Sequence, residues 1–161
     1  MVVVSFQGPK RDLSRVAHQL IDKLFHFFTL HLLPTLSKYA MTEIKYYLLS
    51  KLEVFEDYPF GWDIAVFKVK NKMFATLSER EGQWNMNVKC DPNEALMLRD
   101  VFPSVLPGYH MNKAHWNTIV LDNTIPLGEI ERMIDNSYAL VVAGMTKADR
   151  RSLETVSEKT V

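Results

Sequence analysis

Residues 109–118, YHMNKAHWNT, gather two His, one Lys, two Asn, a Tyr and a Trp in one short stretch. Such a set offers a cation, several hydrogen-bonding groups and two aromatic faces together. With Asn112-Lys113 as a two-residue turn, the apolar flanks (Val105, Leu106; Ile119, Val120, Leu121) become the arms of a β-hairpin. Met111 then faces Ala114, His110 faces His115 and Tyr109 faces Trp116. Alternation puts both His on one face of the hairpin and both aromatics on the other. The chemistry this implies is recognition: Lys113 at the tip, with His110, Asn112 and His115 around it, presented to a partner. The alternative is structural, with the His pair hydrogen-bonded to backbone and the aromatics packed on the core.

A second cationic set is Lys68, Lys70 and Lys72, at a predicted turn around Asn71. With Lys113 these residues form two tips able to straddle a phosphate backbone. The plainer reading is an edge hairpin guarded by lysines against aggregation. Trp62 and Trp84 could stack on bases, but core packing explains them more simply.

Metal and covalent chemistry find less footing. A His110–His115 pair needs a third or fourth ligand to hold zinc. Cys90 and Asp122 are the only neighbours by sequence, and neither is placed by spacing. Cys90 precedes a helix start, a place that can activate a thiol. No His partner is fixed beside it, so it reads as a buried structural residue. Ser137-Tyr138 lies inside a helix and not on a nucleophile elbow, and the sequence holds no Gly-rich phosphate loop. The expectation is a protein that is not an enzyme, with no metal and no cofactor.

The elements that position these residues follow from periodicity. Ile44, Tyr47, Leu48 and Leu52 predict a helix over 42–52, with Thr42 as its N-cap. EDYPFG (56–61) reads as a loop. WDIAVFKVK, KMFATLSE and QWNMNVK read as three strands, turning at Asn71 and at Arg80-Glu81-Gly82. The first is apolar on both faces at its centre, which suits an inner strand. The third alternates Trp84, Met86 and Val88 with Asn85, Asn87 and Lys89, one face buried and one wet. Asp91-Pro92-Asn93-Glu94 predicts a helix start, with Asp91 as cap and Glu94 closing a capping-box-like arrangement. The hairpin follows. Pro126 then opens a long helix with Ile130, Met133, Ile134, Tyr138, Val141 and Val142 on one stripe, ended by Gly144. Thr146 with Asp149 caps a short last helix. The order is helix, three strands, helix, two strands and two helices: an α+β fold with an antiparallel sheet backed by helices.

Of 161 residues, 47% are hydrophobic and 24% charged, the balance of a globular protein. A single Cys excludes an intrachain disulfide and fits a reducing, cytoplasmic setting. Net charge is zero, but unevenly spread. Residues 1–40 carry five basic and two acidic groups, and the remainder 14 basic and 17 acidic. Charge alone therefore gives the main domain no general affinity for duplex DNA.

Residues 1–40 read as a separate extension. The run LIDKLFHFFTLHLLPTL predicts at most one amphipathic helix, stopped at Pro34. It is too short and too often interrupted by Asp22, Lys23, His26 and His31 to span a membrane. Its charges are also misplaced for a signal peptide. Another reading takes Met41 as the true start and the first 40 residues as no part of the native protein.

VKCDP (88–92), FPSVLPGYHMNKAHWNT (102–118), the Asp122 turn leading to Pro126, and MIDNSYALVV (133–142) together resemble the MmcQ/YjbR family of small bacterial proteins. The resemblance spans about residues 41–153. Its most specific part is His110, Asn112, Lys113, His115 and Trp116, and Ser137-Tyr138 supports it. It implies an antiparallel sheet backed by helices, similar to the double-wing fold of a phage transcription factor. It also implies DNA as a partner, through Lys68, Lys70, Lys72, His110, Asn112, Lys113 and His115. The fold class resembles that of secretion chaperones too, which makes a protein partner the alternative.

Overall fold

The computed structural model describes residues 41–159, and side chains as far as Val156. The expectations for residues 1–40 lie outside them.

Helix α1 covers residues 41–49 of the described chain. Thr42 lies within it and so does not act as its N-cap. Four strands follow, where three were expected: β1 (Val54–Asp57), β2 (Ile64–Val69), β3 (Lys72–Arg80) and β4 (Gln83–Lys89). Strand β1 falls partly in the stretch read as loop. It is a four-residue edge strand ending in Glu56 and Asp57, and so lacks a clear alternating signal. Two tight turns join β2, β3 and β4. Lys70-Asn71 and Glu81-Gly82 both have positive φ at each central residue, the geometry that matches the twist of the strands.

Helix α2 (Pro92–Val101) starts as expected, with the Asp91 carboxylate accepting from the N–H groups of Asn93 and Glu94. Glu94 does not close a capping box. It turns across to accept from Arg132 and Asn136. Strands β5 (Val105–Pro107) and β6 (Trp116–Val120) come next, then α3 (Leu127–Ala143) and α4 (Lys147–Lys159). The sheet order is β1-β2-β3-β4-β6-β5, with every pairing antiparallel. β2 is an inner strand, as its two apolar faces predict.

One face of the sheet carries Ala65, Phe67, Ala75, Leu77, Met86, Val88 and Ile119, which join Ile44 and Leu48 of α1 and Ile130, Met133, Ile134 and Val141 of α3 in one core. Phe74 is an extra residue in β3, unpaired where the β2–β3 register shifts. The β3–β4 pairing stops beside it, at Ala75 and Val88. The Ser137 hydroxyl of α3 fills the next rung. It donates to the Phe74 carbonyl at 2.5 Å and accepts from the Lys89 N–H at 2.8 Å. Tyr138, beside it, meets the Phe74 ring edge-on and donates to the Leu52 carbonyl.

Candidate functional site

The second face of the sheet is where the singled-out loop leads. In register, Val66, Thr76, Asn87 and Thr118 form a row across β2, β3, β4 and β6. The expectation of a wet face for Asn87 is corrected here: all four residues are buried. Their polar atoms answer one another. The Asn87 amide donates to Thr76 Oγ1 at 3.0 Å, and the Thr118 hydroxyl donates to Asn87 Oδ1 at 2.5 Å. The Tyr109 N–H in turn donates to Thr118 Oγ1 at 2.9 Å. A buried amide left without partners would cost more than these bonds return, so the row is fixed as a unit.

Above this floor lies a cleft of about 440 Å³. Phe60 of the β1–β2 loop, Ile64, Met73 and Met111 supply its apolar walls, and Arg80, Tyr109 and His110 its polar rim. The Arg80 guanidinium lies over the Tyr109 ring at 3.6 Å, and the His110 ring meets the same Tyr edge-on at 4.1 Å. His110 adopts φ +53°, which swings it out of the strand path.

The two-residue hairpin at Asn112-Lys113 is not what forms. β5 and β6 pair one residue out of that register, so Gly108 and not Tyr109 stands opposite Trp116, its N–H on the Trp116 carbonyl at 2.9 Å. Residues 108–115 form a wider loop, and His110 and His115 do not face each other. Gly108 permits the change. A Cβ there would sit 2.7 Å from the Trp116 Cβ, so only glycine allows this approach. Asn112 supports the turn by accepting from the Ala114 N–H. Arg99 of α2 then clips the loop down. It donates to the Lys113 carbonyl at 2.5 Å, the Trp116 carbonyl at 3.1 Å and Asn117 Oδ1 at 2.8 Å.

Of the residues expected to bind, only His110 lines the cleft. Lys113 and His115 are exposed on the loop, with their carbonyls occupied by Arg99 and by the Cys90 N–H. At the other tip Lys68 is paired with Asp57 at 2.5 Å, and Lys70 with Glu53. Lys72 and Lys113 have no ion pair among the described residues. Trp84 packs on the core, whereas Trp62 lies outside the strands, 89% exposed and resting on Tyr58. Cys90 is buried, and that burial pushes its thiol up to about 11. Among the described residues no three His, Cys, Asp or Glu come together as a metal site, and no helix is long and apolar enough to cross a membrane.

Phe60, Met73, Thr76, Arg80 and Asn87 were missed by sequence reasoning. For Thr76 and Asn87 a weak signal was present: polar Thr76, Asn87 and Thr118 interrupt apolar strands at positions that pair.

The YjbR family model matches residues 49–140, more than half of the chain and all of this floor and loop. The chain belongs to the YjbR family. It is 38% identical to YbdF of Escherichia coli O157:H7, an uncharacterized protein, over 58% of this chain and 77% of that one. Identity to the uncharacterized YjbR of E. coli K12 is 30%, over 71% and 97%. Among solved structures, the Deinococcus radiodurans protein DR2400, with a DUF419 domain, superposes with a TM-score of 0.66 at 33% identity, covering 71% of this chain and 87% of that one. A Pseudomonas syringae protein gives a TM-score of 0.56 at 27% identity, over 62% and 97%.

Proposed function

We propose that this YjbR-family chain is a non-catalytic, cytoplasmic protein-interaction module that seats an apolar group of its partner in the cleft. The cleft itself carries this reading. Its size is that of a ligand pocket, and its lining is mainly apolar with a few converging polar groups. Exposed Phe60 and Trp62, in the loop beside it, add the kind of aromatic surface on which interfaces concentrate their affinity. Two potential nucleophiles are otherwise engaged: Cys90 is buried with a raised thiol, and Ser137 is bound at both ends of its hydroxyl.

The test is selection from a randomised peptide library displayed on phage. Selected peptides are expected to share an aromatic or long aliphatic residue and to lose affinity for a folded Met73→Lys variant, which places a charge in the cleft. Peptides that bind this variant as well as wild type would sink the reading.

Nucleic acid draws less support, since Lys68 and Lys70 already have acidic partners and residues 41–159 carry 14 basic against 17 acidic groups. A low-salt duplex titration separates the two readings. If DNA is the ligand, a Lys68→Ala, Lys70→Ala, Lys113→Ala triple variant binds more weakly, and wild-type affinity falls with salt by about 0.9 log units per log unit for each phosphate neutralised.

A further inference from the structure

Several cations of the described domain are matched by carboxylates. Arg132 holds Glu94 and Glu129, Lys45 holds Glu56, Lys51 holds Asp135, and the turn lysines hold Asp57 and Glu53. Arg80 differs. It ends β3 at the cleft rim, is half-buried, and among the described residues meets no carboxylate. What holds it is the flat face of Tyr109. Stacking of this kind fixes the plane of a guanidinium and uses none of its N–H donors. The main chain beneath that ring is anchored, since the Tyr109 N–H is tied to Thr118 and so to the buried Asn87 row. The result is an oriented, charged fork with free donors beside an apolar cavity.

We propose that the cleft takes an apolar carboxylate, its body against Phe60, Ile64, Met73 and Met111 and its two oxygens on Arg80. This rests on the reading of the cleft as the binding site. A planar carboxylate matches the guanidinium fork with two parallel hydrogen bonds. A phosphate dianion fits less well. Thr76 and Asn87 are neutral, so beyond Arg80 its second charge would find only His110 at the rim. The apolar lining supplies affinity for the body, and Arg80 selects for the acid.

The experiment uses the full chain and two matched pairs of probes: 3-phenylpropionate with its amide, and the tripeptide Gly-Gly-Phe with its C-terminal amide. Binding is followed by NMR through the backbone signals of Thr76 and Tyr109 and the side chain of Arg80. The acids are expected to bind about tenfold tighter than the amides, the scale of one hydrogen bond to a charged group. Arg80→Gln, with its fold checked by thermal unfolding, is expected to bring the acids down to the level of the amides. Preference for the tripeptide acid puts the carboxylate on a chain terminus, and preference for 3-phenylpropionate puts it on a free small acid. Equal binding of acid and amide to wild type overturns the carboxylate and leaves the cleft an apolar site. No shift at Thr76 or Tyr109 with any probe overturns the cleft reading as well.

Discussion

On one face of the sheet Phe67, Leu77, Met86, Val88 and Ile119 meet Ile44, Met133 and Ile134 of the helices through carbon. On the other face the same strands present Thr76, Asn87 and Thr118, joined by hydrogen bonds. Both sets are buried. Apolar burial has no preferred direction and rewards area. A hydrogen-bonded row rewards particular atoms in particular places, and so can place the main chain of Tyr109, whose ring carries Arg80. The first face therefore supplies stability, and the second supplies placement.

The contrast can be broken by substitution. The largest effect is expected at Ile134, fully buried in α3: Ile134→Ala should cost about 4 kcal/mol in urea unfolding, the upper part of the range for such truncations. Ser137→Ala should cost about 3 kcal/mol, because it leaves the buried Phe74 carbonyl and the part-buried Lys89 N–H without the partner between them. Asn87→Ala should cost less, about 2 kcal/mol, since the Thr118 hydroxyl that loses its acceptor and the Thr76 hydroxyl that loses its donor can both rotate. It should also weaken binding in the cleft. If Asn87→Ala costs as much as Ile134→Ala and leaves binding intact, the two faces do not divide their roles in this way.

Two smaller effects sharpen the picture. Arg99→Ala should lower global stability by about 1.5 kcal/mol while speeding hydrogen exchange at the Met111 and His115 amides, whose bonds close the loop. The smallest effect concerns acid. Burial raises the Asp122 carboxyl, but hydrogen bonds from Ser104 and Thr124 outweigh it and leave the group below the usual carboxylate range. A lowered folded value means that this stabilisation is present above the unfolded carboxylate value and is lost as pH falls through the folded one. Asp122→Asn should flatten that part of the acid unfolding curve without moving the neutral end.

Helices α2 and α3 and the turns at Asn71 and Gly82 were legible because each signal was local: a cap, a proline, a glycine, a 3.6-residue stripe. Strand β1 was not, because a short edge strand is defined by its neighbour β2 more than by its own residues. The loop was legible in composition and misread in register. Asn112-Lys113 looks like a two-residue turn, yet the pairing is shifted by one residue, a register that Gly108 permits beside Trp116, and a shift of one sends every side chain elsewhere. Arg80 carried no local signal at all. Its place depends on Tyr109, nearly thirty positions away along the chain.

Arg99 takes hold of the 108–115 loop by the carbonyls of Lys113 and Trp116 and by the Asn117 amide, and never by the side chain of His110, Met111, Lys113 or His115. A clamp of this kind is indifferent to what the loop displays at those four positions. Met111, Lys113 and His115 can therefore be exchanged with little change in the shape of the loop, whereas His110, at φ +53°, admits fewer replacements; variation at the three would retune what a relative of this protein accepts while the platform beneath is inherited intact.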